Sequence, residues 1–138
     1  MRIRFFLSAV VLTATVFACN GTSSTDAGTS IAGAWLLKSL NGTDVPAVLS
    51  VSGNDTTFLD TELLILPPAG KYSRTTNKVT DSPSIFGSPV TGTSSGTYAR
   101  KGSGYSFNDD SLGVGTGSLT NGMLTIAFGG QVHVFSLP

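Results

Sequence analysis

From residue 31 to the C-terminus, apolar and polar residues alternate at a period of two, and turn-forming residues break the pattern about every eight to twelve positions. That rhythm belongs to short, half-buried strands joined by tight turns, and no stretch carries the three-to-four spacing of an amphipathic helix. Strands are expected over 34–40, 47–51, 57–66, 71–76, 96–100, 105–107, 112–119, 123–128 and 131–137. Asn41-Gly42 ends the first of these. Pro67-Pro68-Ala69-Gly70 is a sharp stop, because proline lacks the ladder donor. Asn121-Gly122 is the strongest hairpin signal, since both residues tolerate positive φ. The result is an antiparallel meander of about eight strands. An open meander leaves two unpaired edges, and closing it removes them. The expected fold is therefore an all-β, antiparallel up-and-down barrel, with a two-sheet β-sandwich as the alternative that uses the same strands and turns.

Residues 31–138 make one domain of ordinary size, large enough for a single core without disulfides. Within it, Ile31-Ala32-Gly33-Ala34-Trp35-Leu36 resembles the opening G-x-W element of lipocalins, at the start of the first strand as in that family. The Gly96-Thr97-Tyr98 hairpin and the glycine-punctuated strands after it are similar to the lipocalin-like domains of small bacterial lipoproteins. The resemblance implies a lipocalin-like barrel in which Trp35, with Gly33, is a structural plug closing one end.

The N-terminus supplies an address. Arg2 and Arg4 precede an apolar run of about thirteen residues from Phe5 to Phe17, too short for a bilayer span of roughly 20 residues but matched to a signal h-region. Val16-Phe17-Ala18-Cys19 resembles a bacterial lipobox, which implies cleavage before Cys19 and a diacylglyceryl group on its thiol. Ordinary signal cleavage at the same bond is the rival. A single cysteine in an exported chain has no disulfide partner, which favours lipidation. Residues 1–18 are thus read as signal peptide and 19–30, rich in Gly, Ser and Thr, as a lipidated N-terminus and flexible tether. Asn20 after the cysteine, where aspartate would signal inner-membrane retention, implies the outer membrane in a Gram-negative host.

Chemistry is sparse. Once Arg2 and Arg4 leave with the leader, six basic residues face eight acidic ones, which gives no electrostatic footprint for nucleic acid. Lys71, Arg74 and Lys78, and the Arg100-Lys101 pair, are read as solvated strand faces. His133 is the one imidazole; its side chain is expected opposite those of Val132 and Val134, hydrogen-bonded or facing solvent. One histidine and an acylated cysteine cannot supply a zinc set, so no metal or cofactor is expected. Asp60 and Glu62 share a strand face at i and i+2, and are read as exposed like charges rather than a glycosidase pair. Asp109-Asp110 is read as a turn. No catalytic residue is assigned, and the chain is not expected to be an enzyme.

Residues 77–95 break the short-loop rhythm, and connections of that length usually form lids or carry no fixed structure. Ile85 and Phe86 lie there as a candidate mouth loop; the alternative is that they fold back on the wall or form a short extra strand. Two function classes follow. In one, an envelope lipoprotein binds a small apolar ligand inside the barrel, since eight strands just enclose one. In the other, the interior is filled and the domain is a structural or interaction module with an envelope protein partner, including a small-barrel protease inhibitor.

Overall fold

The computed structural model describes residues 30–138 apart from Ala69 and Ser84. The signal peptide, Cys19 and the tether through residue 29 lie outside the described residues. Eleven strands are present: β1 (Gly33–Leu40), β2 (Thr43–Asp44), β3 (Ala47–Ser52), β4 (Asp55–Leu66), β5 (Lys71–Ser82), β6 (Ile85–Phe86), β7 (Val90–Lys101), β8 (Gly104–Asp109), β9 (Gly113–Thr120), β10 (Met123–Phe128) and β11 (Gln131–Ser136). Eight of them close a ring of antiparallel pairs in the order β1, β11, β10, β9, β8, β7, β5, β4 and back to β1. The expected up-and-down barrel is therefore the fold, and the sandwich is not.

Turn chemistry places the hairpins where the sequence indicates. Asn41 and Gly42 have φ of 52° and 80°, and Asn121 and Gly122 have 52° and 76°, so both turns have two consecutive residues in the left-handed region that Asn-Gly accepts. Asn41 then clips β1 to β11: its N–H donates to the Val132 carbonyl and its Oδ1 accepts from the Val132 N–H, each at 2.8 Å.

Residues 77–95 are not a long irregular connection. Strands β5 and β7 run through most of them and pair from Lys71↔Thr97 to Lys78↔Val90. Ile85 and Phe86 form β6, which pairs with Asp81 and Ser82 of β5, so the short-strand alternative holds for their backbone; their side chains lie outside the described residues. Threonine and serine alternate through β7 and suit a pleated surface, but the sparse apolar residues hide the strand from a hydrophobic reading.

The two ends of the barrel differ. At one end, β1 pairs with β4 from Gly33↔Leu66 to Leu36↔Leu63, and Ile31 and Trp35 are buried. The Trp35 indole N–H donates to the Ile31 carbonyl at 2.8 Å, which draws the incoming chain across this end. Tyr98 adds a second tie, donating its hydroxyl to the Pro67 carbonyl at 2.5 Å and its N–H to Gly70 O at 2.7 Å. Toward the other end β1 and β4 part company: β1 pairs with β2 at Ser39 and Leu40, while the first half of β4 pairs with β3. The wall is thus split at the end where Leu40 and Leu59 lie.

Between the ends, aromatic rings fill the barrel. Phe107 packs edge-on against Tyr72 and Phe128, with centroids 5.8 and 6.1 Å apart, and stacks on Tyr98 at 5.9 Å. The strand between them, β9, makes room. A Cβ on Gly117 would lie 2.6 Å from the Phe107 ring, and one on Gly115 would lie 2.6 Å from the Phe128 ring. Large rings on β8 and β10 therefore sit over glycines on β9 instead of meeting side chains there.

Candidate functional site

Besides Thr76, four polar residues are buried in the barrel, each in phase with other buried residues of its own strand. Glu62 alternates with Leu64 and Leu66 on β4, Arg74 with Tyr72 and Thr76 on β5, Asp109 with Phe107 on β8, and His133 with Phe135 on β11. All four are buried, with Glu62 only 1% exposed and His133 2%. This corrects three sequence expectations. Arg74 is not on a solvated face, although Lys71 and Lys78 are exposed. Asp109 is not a surface turn residue, although its neighbour Asp110 is exposed. Asp60 and Glu62 do not share a face: the register shift between Leu59 and Thr61 is a β-bulge that turns Asp60 outward and leaves Glu62 inside. His133 points away from the exposed Val132, as expected from the alternation, but into the barrel, where it stacks on Phe135 at 6.1 Å and meets Phe128 edge-on at 5.8 Å.

Two halves of this cluster behave differently. Asp109 is saturated. Its Oδ1 accepts from the Ser111 N–H at 2.9 Å, the Ser111 hydroxyl at 2.8 Å and the Leu112 N–H at 3.0 Å. Its Oδ2 accepts from the Tyr72 hydroxyl at 2.9 Å and Arg74 Nε at 3.2 Å. Burial alone would raise the Asp109 pKa, but the donors of Ser111 and Leu112 together with the Arg74 guanidinium outweigh it and hold the carboxyl down at about 2. Tyr72 is pushed well up, first by burial and then by its hydrogen bond to this carboxylate. Arg74 also donates to Ser111 Oγ at 2.8 Å and Ser94 Oγ at 3.0 Å. This half is a scaffold that ties β5, β7 and the β8–β9 turn together.

Glu62 and His133 are the open half. Glu62 Oε2 lies 3.3 Å from His133 Nδ1, and Oε1 lies 3.6 Å from Arg74 Nη1. Despite this proximity, neither carboxyl oxygen and neither imidazole nitrogen has a hydrogen-bond partner among the described residues. Buried polar atoms are rarely left so, and each costs about 1–3 kcal/mol of lost solvation.

These atoms line a cavity of about 500 Å³ at the split end of the barrel. Leu40, Leu49, Leu59 and Leu112 form its apolar part, and Glu62, Arg74, Thr76, Ser94, Ser111 and His133 its polar part. The β1/β4 split and the β2–β3 excursion position Leu40, Leu49 and Leu59 there. Trp35 and Gly33 lie at the closed end, as a plug would, and a Cβ on Gly33 would lie 3.9 Å from Trp35 Nε1. Cys19 lies outside the described residues. Among those residues no group of three or more His, Cys, Asp and Glu side chains is arranged to hold a metal ion.

The class defined by this geometry is a closed, eight-stranded antiparallel barrel, compatible with a lipocalin-like fold, with buried Ile31 and Trp35 at one end and a cavity lined by charged residues at the other. No protein-family model, curated protein or solved structure matches the chain.

Proposed function

We propose that the chain is an exported bacterial lipoprotein, lipid-anchored through Cys19 at the cell envelope, whose lipocalin-like barrel binds a small ligand through its split end. The anchor reading rests on Arg2, Arg4, the apolar run and the Val16-to-Cys19 motif. Outward-facing residues support a barrel held beside a membrane rather than within one. The exposed positions of β7 are Val90, Thr91, Thr93, Ser95, Thr97, Ala99, Arg100 and Lys101, and those of β9 are Gly113, Val114, Thr116, Ser118 and Thr120, so both strands are mainly polar outside despite the two valines, whereas a lipid-facing barrel needs an apolar outer band. Cys19→Ser is expected to move the protein from the membrane fraction to the soluble fraction. Retention of that variant in membranes would remove the lipid-anchor reading.

The observation that carries the binding reading is the cavity floor, where Glu62 and His133 present four buried polar atoms without a hydrogen bond among the described residues. Concave sites with an apolar lining and a few convergent polar groups are the usual form of small-molecule sites. The small apolar ligand implied by the family resemblance suits the leucines but not the charged floor, so the ligand proposed is amphipathic, its polar group innermost. The filled-core alternative, an envelope interaction module, draws on the aromatic packing of Tyr72 and Phe128 around Phe107. Native mass spectrometry of Cys19→Ser protein from a bacterial periplasm, set against the denatured mass, separates the two. A bound mass lost on denaturation is expected; equal masses at saturating lipid and metabolite extract would favour the module.

A further inference from the structure

We infer that the ligand's polar group is a protonated primary amine, seated on Glu62 and His133, with its apolar substituent against Leu40, Leu49, Leu59 and Leu112. The inference rests on the binding-barrel reading and specifies its ligand class. It follows from which atoms lack partners. A carboxylate only accepts hydrogen bonds, and a neutral imidazole has one accepting nitrogen. With the Nδ1–H of a neutral His133 facing Glu62 Oε2 at 3.3 Å, outside hydrogen-bond geometry, and Arg74 Nη1 no nearer to Oε1 than 3.6 Å, the carboxylate oxygens and Nε2 all call for donors. An ammonium group supplies three donors and no acceptor. A hydroxyl supplies one donor, and a carboxylate would bring acceptors to acceptors.

Charge points the same way. Glu62 lines the cavity, and Asp109 lies behind it on the single guanidinium of Arg74, which is 3.2 Å from Asp109 and 3.6 Å from Glu62. With both acids ionised and His133 neutral, the group of Glu62, Arg74 and Asp109 holds one negative charge more than the guanidinium offsets, and a buried charge is stable only when paired. The remaining charged group on the cavity wall is Lys78. It is exposed, and solvent screens it from the floor. The rings of Phe128 and Phe135 against His133 hold the imidazole in place, so the two acceptors are fixed before any ligand arrives.

The test compares hexylamine, hexan-1-ol and hexanoate, three probes with one tail and different heads, by calorimetric titration of the Cys19→Ser protein at neutral pH. Hexylamine is expected to bind at least tenfold more tightly than hexanol, with hexanoate weakest. Glu62→Gln should lose that tenfold preference while still binding hexanol, and Leu49→Trp, which fills the cavity, should block all three. Hexanol or hexanoate binding as well as hexylamine, yet blocked by Leu49→Trp, would overturn the amine inference and leave the binding barrel standing. Unchanged hexylamine affinity in Glu62→Gln would also overturn it. Failure of all three probes to bind overturns it too, and the native mass comparison then decides the binding reading separately. The ranking of heads on the unsubstituted cavity holds even if Glu62→Gln fails to fold.

Discussion

At the scale of single residues, the barrel interior assigns opposite roles to two acids. Asp109 is a structural anchor, because its oxygens gather donors from Tyr72, Arg74, Ser111 and Leu112. Removing it leaves the Arg74 guanidinium buried beside one partner fewer, so Asp109→Ala is expected to cost about 3–5 kcal/mol in urea unfolding. Its pH signature has a definite sign. The folded-state pKa of about 2 lies below the ordinary value of 3.8, so its contribution is fully present above about pH 4 and is lost as pH falls toward 2. Near-neutral stability from this group is about 2 kcal/mol. Denaturant midpoints taken between pH 5 and pH 2 should fall for the natural chain, and the Asp109→Asn profile should be flatter by that amount. Glu62, by contrast, has no hydrogen bond to lose.

At the scale of strands, the barrel depends on pairing bulky residues with empty ones. Phe107 and Phe128 lean over Gly117 and Gly115 of the adjoining β9, which lets a small barrel hold large rings. Adding one methyl at either glycine forces a ring or a strand to move, so Gly115→Ala and Gly117→Ala should each destabilise by about 1–3 kcal/mol, measurable by thermal unfolding. Gly122→Ala probes a different property, the positive φ of a hairpin turn, and has no contact within 4 Å. The strands carrying these residues were legible in sequence where alternation was strong, as in β1, β10 and β11. Strand β7 was not legible through Val90–Ser95, because serine, threonine and glycine give no hydrophobic phase. The inward direction of Arg74, Asp109 and Glu62 was available from their phase with Tyr72, Phe107 and Leu64. The usual exposure of charged residues masked that signal. Bulges such as the one that turns Asp60 outward leave no mark in composition. That Glu62 and His133 meet, although β1 lies between their strands in the ring, depends on strand tilt and stagger, which sequence spacing does not contain.

At the scale of the whole molecule, one end is built for stability and the other departs from it. Trp35 and Ile31 close the first end, so Trp35→Ala should cost roughly 3–5 kcal/mol in denaturant unfolding, and a neutral result would remove the plug role that the resemblance to lipocalins implies. The second end places an acid and an imidazole in the interior without hydrogen bonds, where apolar side chains would pack at lower cost. Proteins keep such features where function requires them and stability does not. The most direct measurement is therefore the unfolding free energy of the Glu62→Met, His133→Phe double variant. It leaves Arg74 paired with Asp109 alone and sets a phenylalanine beside Phe128 and Phe135. If the pair serves binding, the double variant should be as stable as the natural chain or more stable by about 1–4 kcal/mol, with ligand binding abolished. A loss of roughly 3 kcal/mol or more, the size expected when a needed buried pair is broken, would show that Glu62 and His133 hold the barrel together and would contradict a binding site at its open end.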